Sequence, residues 1–277
     1  MYLAMDDLGT DVMEELQRGE TAAKWARIEQ LALEFKVTGI QFNPVLYRDK
    51  LKLSLREIPE SIRSRFRCTY HLGGLYCLTS AAEQEQLDEA LAEAMHTILE
   101  CGMEPDLSFH PPFLLEYSEE ARRDSVRCLG RTVDRWLAKL DGTGIVLSLE
   151  TLIRPKYFVF EHLDHYLEFV AGHPGLGMLI DISHNFNDGL ALNRLLAEAM
   201  AARVTGFHLG DARSCGPFET ATHLPIGRGE IDFRHWLAPF VSSDRIYAAL
   251  EIRGTAAEIA SSAAWLRDEA LGGKEGN

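Results

Sequence analysis

Imidazoles and carboxylates recur along this chain at one kind of place, the end of a short apolar run. In order they are His71 (FRCTYH), His110 (DLSFH), Glu150 (GIVLSLE), Asp181 (GMLID) followed by His184, His208 (VTGFH) and Glu251 (IYAALE). These are the donors that zinc, manganese and similar divalent ions take. Alone, a strand-end histidine is more readily a hydrogen-bonded structural residue, and a buried carboxylate the partner of an arginine. The joint pattern reads differently. Burying Glu150, Asp181 and Glu251 at one end of one core costs several kcal/mol per uncompensated charge unless a cation holds them together.

Such residues, spaced by roughly 30 to 40 positions, can meet only if the fold gathers strand ends into one ring. Strand-like and helix-like patterns alternate along the whole sequence, as βα units around a parallel sheet require. A weak first strand at Tyr2–Met5 is followed by an amphipathic helix near 20–35 and the strand VTGIQF. A helix near 54–66 contains Pro59, which moves its start toward that residue. The strand RCTYHL, a serine-capped helix near 80–101 and the strand LSFH come next. A helix near 117–140 precedes GIVLSLE, whose unbroken apolar character suits a strand covered on both faces. Helices near 159–171 and 187–203 flank GMLIDI, and VTGFHL follows. Gly210–Glu230 shows no periodicity and reads as a long loop, a length usually tied to function. A helix near 232–242, the strand RIYAALEI and a helix near 255–270 complete the pattern. Eight strands and eight helices place the chain in the α/β class as a closed (β/α)8, or TIM, barrel. No linker divides it, so residues 1–277 are expected to form one domain, with 271–277 a disordered tail.

Composition narrows the partners. The chain has 277 residues, 46% hydrophobic and 25% charged, enough for one large core. Its net charge of −14 is spread without a basic block and repels nucleic acid and anionic membranes alike. Five cysteines fall singly, with no CxxC pair, which suits reduced thiols in a cytoplasmic protein. Neither a secretory signal nor an apolar stretch of about 18 residues is evident. No GxGxxG follows the first strand, so no dinucleotide cofactor is implied. His96, His162, His165, His173 and His235 fall on helices or helix ends and read as surface or capping residues. Trp25, Trp136, Trp236 and Trp265 fall at core-facing helical spacing.

The ordered segments LSLET, LIDISH, FHLGDA, HLPIGRGEIDF and ALEIRG resemble the xylose isomerase-like TIM-barrel superfamily. That group unites sugar and sugar-phosphate isomerases and epimerases with apurinic-site endonucleases of the endonuclease IV type. The resemblance covers nearly the whole chain and implies a metal held by Glu150, Asp181, His208 and Glu251. In the endonuclease IV branch, histidines at the positions of His71 and His110 complete a second metal with the bridging Glu150. A third metal there uses a histidine matching His184 with an Asp and a His, and of these His223 is present while the Asp is Ala221. Asp211 or Glu219 could take the missing place. One-metal isomerases of the superfamily use the glutamates matching Glu150 and Glu251 to move protons at carbon, while the His184 equivalent helps hold the substrate.

Arg154, Lys156, Arg213, Arg228 and Arg253 lie in segments after the strand ends, with Asp211 among them. Singly they read as solvated loop charges. Together they point to an anionic or polar small molecule, because guanidinium binds phosphate in a bidentate fork. Three functions follow. The first is hydrolysis of a small phosphoester at a site of two or three ions, zinc or manganese suiting the donors. The second is sugar or sugar-phosphate isomerisation or epimerisation at one manganese, cobalt or magnesium ion, with Glu150 and Glu251 as acid and base and His184 and Arg213 orienting the sugar. The third is a barrel that binds metal or sugar without turnover. A homodimer is a common state for such a barrel.

Overall fold

The computed structural model describes residues 1–153, 156–186, 198–216 and 219–272. Eight parallel strands close a barrel: β1 (Tyr2–Met5), β2 (Gly39–Phe42), β3 (Arg67–Leu72), β4 (Asp106–Phe109), β5 (Val146–Glu150), β6 (Gly177–Asp181), β7 (Val204–Leu209) and, last in the chain, β10 (Tyr247–Leu250). The weak first strand is real, and it closes the ring by pairing Tyr2 with Tyr247 and Met5 with Leu250.

Helices pack around the outside: α1 (Met13–Arg18), α2 (Thr21–Phe35), α3 (Glu60–Arg65), α4 (Ala81–Cys101), α5 (Glu119–Leu140) and α6 (Leu163–Gly172), with later ones at Phe233–Leu237 and Ala256–Trp265. Their boundaries follow local chemistry. Pro59 caps α3, and Ser80 and Glu83 form a reciprocal capping box at the start of α4. Thr255 and Glu258 do the same for the last helix. A short helix at α1 and a wide turn at Val45–Lys50 carry too few apolar repeats to show in the sequence. Most of the helix expected near 187–203 lies outside the described residues, with a helical turn at Glu198–Ala201 at its end.

Side chains alternate across each strand, and the two faces differ in chemistry. Outward residues such as Ile40, Phe42, Tyr70, Leu107 and Leu147 join the helices in the main apolar core. The inward face holds a small separate apolar cluster of Tyr2, Ala4, Leu179, Tyr247 and Ala249, beside buried Gln41, Thr69, Ser108 and Ser148. Tyr247 reaches across this interior because β7 offers Gly206, where a Cβ would stand 2.4 Å from the tyrosine ring.

The segment read as a structureless loop is an antiparallel hairpin, β8 (Asp211–Gly216) with β9 (Glu219–Leu224). Its strands are short and rich in Thr, Ser and Arg, with no apolar face for period-2 alternation to reveal. Buried Asp211 orders the turn that follows. Its carboxylate accepts the backbone N–H groups of Ala212, Gly227, Gly229 and Ile231 at 2.7–3.2 Å.

Candidate metal centre

The inward face of each strand ends at the C-terminal rim, and there the metal-ligand side chains converge. Glu150, at the end of β5, is 1% exposed. Its Oε1 stands 3.3 Å from His208 Nδ1. Its Oε2 faces the other way, 3.0 Å from His110 Nε2 and 3.4 Å from His71 Nε2, and those two imidazole nitrogens lie 3.1 Å apart. One carboxylate thus belongs to two clusters.

The first cluster is Glu150, Asp181, His208 and Glu251, whose donor atoms all lie within 4.8 Å of one another. His208 Nδ1 is 2.9 Å from Glu251 Oε2. The second is His71, His110 and Glu150, whose donor atoms lie 3.0–3.4 Å apart, with His208 also within reach of His71 and Glu150. A third joins Asp181, His184 and His223, with the two histidine Nε2 atoms 3.0 Å apart and His184 Nε2 3.7 Å from Asp181 Oδ2. His223 reaches this cluster from β9 in the left-handed conformation, φ 56°, which is uncommon for a residue with a Cβ. Gly210 makes the close approach possible, since a Cβ there would meet Glu251 O at 2.7 Å and His223 Cα at 2.8 Å. Arg253 N–H then donates to His223 C=O at 2.8 Å and ties the hairpin to the end of β10.

The donors fit divalent ions on a direct physical ground. Glu150 Oε2, Asp181 Oδ2, His208 Nδ1 and Glu251 Oε2 are buried and form no hydrogen bond, although they crowd within a few ångströms of one another. Buried polar atoms seldom go unpaired. Atoms that converge while missing hydrogen-bond geometry have the form of a coordination set.

The electrostatics agree with that crowding. Burial opposes charge on His208, yet Glu150 and Glu251 raise its pKa well above the ordinary imidazole value. Burial likewise opposes charge on Glu150, but His110 and His208 hold it well below the usual carboxylate range. Glu251 is lowered against burial by His208 and then His223. Burial pushes His71 down to about 3, which keeps its imidazole neutral.

Two carboxylates at this rim escaped the sequence reading. Asp6 continues β1, is 5% exposed, and has an Oδ1 without a hydrogen bond. Burial, with Asp7 and Glu251 nearby, raises its pKa well above the ordinary value. Burial and Glu251 push Asp7 up to about 7. The signal was the Asp-Asp pair directly after MYLAM, masked by the uncertainty of so short a strand. Asp7 lines a cavity of about 260 Å³ that also meets Lys50, His223, Glu251 and Arg253.

The remaining expected residues divide. Arg253 lines that cavity. Lys156, Arg213 and Arg228 lie exposed, and Arg154 lies outside the described residues. Asp211, expected to touch substrate or replace the acid missing at Ala221, has both oxygens engaged by backbone N–H groups. The side chain of Glu219 lies outside the described residues. Among the outlying histidines, His173 pairs with Asp134 at 2.8 Å.

A family model described as xylose isomerase-like TIM barrel matches residues 30–269. Among solved structures, the chain is similar to a D-tagatose 3-epimerase-like protein, with a TM-score of 0.72, 17% identity, and coverage of 97% of this chain and 96% of that one. It is similar to the IolI protein with a bound zinc atom, at 0.70, 18%, and 98% of each chain. It is also similar to a Thermus thermophilus protein soaked with zinc chloride, at 0.62, 22%, and 100% of each chain. At these identities the structural likeness carries the fold.

Proposed function

The chain belongs to the xylose isomerase-like TIM-barrel family, and from that premise we propose that it is a metal-dependent enzyme whose multinuclear site hydrolyses a phosphoester of a small molecule. The observation that carries this reading is the division of Glu150, with one oxygen toward His208 and the other toward His71 and His110. When bound, divalent ions would act as Lewis acids that neutralise phosphoryl oxygens and make a hydrolytic nucleophile available near neutral pH. His71, His110 and Glu150 would hold one ion, and Glu150, Asp181, His208 and Glu251 another. His184 and His223 would hold a third ion or the substrate phosphate.

Lys50 and Arg253 offer cations to an anionic group beside His223 and Glu251. The cavity there, about 260 Å³, suits a small ligand. A net charge of −14 works against a nucleic acid substrate.

A second reading, sugar or sugar-phosphate isomerisation or epimerisation, is favoured by a different feature. Glu150 and Glu251 approach the same imidazole nitrogen, His208 Nδ1, at 3.3 and 2.9 Å. Two carboxylates around one ion position would act as acid and base on a chelated hydroxy-ketone. In that case His71 and His110 would be dispensable.

Metal content by elemental mass spectrometry, on wild type beside the His71→Ala/His110→Ala double variant, separates the readings. Two or more equivalents that fall on mutation, together with lost hydrolysis of small phosphoesters, are expected. One equivalent that survives the double mutation, with solvent deuterium entering a ketose at carbon, would overturn the hydrolytic reading in favour of the second.

A further inference from the structure

Below the rim, a polar chain crosses the barrel interior. His208 Nε2 lies 2.8 Å from Gln41 Oε1, and Gln41 Nε2 donates to Tyr247 Oη at 3.3 Å. Tyr247 Oη in turn donates to Asp106 Oδ1 at 3.2 Å. Gln41 is fully buried and Tyr247 is 1% exposed. These contacts join β2, β7, β10 and β4, strands far apart in sequence.

The chain has a direction. Asp106 also accepts from Ser148 Oγ at 3.2 Å, and its ionised carboxylate is the nearer acceptor for the tyrosine hydroxyl, with Ser108 Oγ farther at 3.4 Å. Tyr247 oxygen can then only accept from Gln41, which turns the amide NH₂ toward the tyrosine and the amide oxygen toward His208. An amide oxygen cannot donate, so the proton on that side of the imidazole sits on Nε2. Nδ1 then faces Glu150 Oε1 and Glu251 Oε2, a position for a proton or, in its place, a metal cation that takes the Nδ1 lone pair.

We propose that Gln41, held in orientation by Tyr247, is a positioning residue that fixes the Nε2–H tautomer of His208 and reserves Nδ1 for a divalent ion. The inference rests on the metal-centre reading but not on the choice between hydrolysis and isomerisation. Outer partners of this kind raise ligand basicity and lock ring orientation, and their removal costs about 10–100-fold in metal affinity.

The test uses zinc alone as the probe. Zinc affinity is measured by competition with a chromophoric chelator for wild type, Gln41→Leu, Gln41→Glu and Tyr247→Phe. Long-range ¹H–¹⁵N spectra of histidine-labelled, zinc-loaded wild type read the His208 tautomer, with His208→Ala assigning the signal. The expected result is an Nε2–H tautomer and a zinc affinity about 10–100-fold weaker in Gln41→Leu. Gln41→Glu, which keeps the acceptor, retains or tightens binding, and Tyr247→Phe falls between. An Nδ1–H tautomer in wild type overturns the proposal even if a variant fails to fold. So does Gln41→Leu binding zinc within about twofold of wild type, against the loss expected when an outer partner is removed. Wild type that binds no zinc, or zinc binding unchanged in His208→Ala, removes the metal-centre reading itself and this inference with it.

Discussion

Asp106 shows how one carboxyl can carry a pH dependence of the whole fold. It sits inside the barrel, accepting from Tyr247 and Ser148, and burial pushes its pKa from 3.8 up to about 6. The folded protein therefore holds this proton more tightly than the unfolded chain does. The stability it contributes is complete below pH 3.8 and is lost as pH rises through about 6. Asp106→Asn cannot titrate. Measured by urea unfolding, the stability of wild type relative to this variant is expected to fall by about 2 kcal/mol between roughly pH 4 and pH 6.5. A difference that stays flat across that range would show that the carboxyl is solvated in the folded state. Among the candidate ligands, position was readable residue by residue: His71, His110, Glu150, Asp181, His208 and Glu251 each close an apolar run. Gln41 was not readable, since a glutamine inside IQF resembles any residue on the polar face of a strand, and only barrel closure brings it to His208.

The hairpin β8–β9 is the element on which the third cluster depends. An isolated two-stranded hairpin is marginal in water, and this one is held by Gly210, by the backbone bond from Arg253 to His223, and by Asp211, which binds the start of β8 to the segment after β9. Gly210→Ala would place a methyl 2.7 Å from Glu251 O and 2.8 Å from His223 Cα, backbone atoms that can yield only by shifting β9 and the segment after β10. In the proposed site, where His184 and His223 hold a third ion or the substrate phosphate, the expected outcome is at least about a tenfold fall in activity, with loss of metal if they hold an ion and the circular dichroism of the barrel unchanged. Metal content beside turnover checks it, and a variant with full metal content and full activity would show that His223 does not depend on this approach. Most of the barrel was legible because its longer strands and helices carry their own apolar period. The hairpin was hidden because it buries no continuous face and is ordered by backbone bonds to Asp211, which leave no mark in hydrophobic spacing. For the same reason Asp211 looked like a free acid beside a site, when it is the organiser of a turn.

At the scale of the whole molecule, the rim gathers the carboxyl groups of Asp6, Asp7, Glu150, Asp181 and Glu251, in a protein of net charge −14. Burial and neighbouring acids hold Asp6 well above the usual carboxylate range and push Asp7 up to about 7, so a bound cation would let these groups ionise more readily. Binding of ions to the folded state alone should therefore raise thermal stability. At free zinc about 100 times its dissociation constant the gain is about 2.7 kcal/mol, or about 5 °C for a domain of this size. Thermal unfolding of chelator-dialysed protein with and without zinc measures it, and an unshifted midpoint would exclude preferential binding to the folded state. Closure of the barrel has a kinetic consequence as well. Tyr2 pairs with Tyr247, and Tyr247 reaches Gln41 and Asp106 across 206 and 141 positions of chain. Contacts so distant in sequence form against a large loop entropy. Until they form, an open sheet leaves Gln41, Thr69, Ser108 and Ser148 in water, where they cost nothing. Ring closure, when solvent leaves the lumen and the polar chain takes its place, is therefore the step expected to limit the rate of folding.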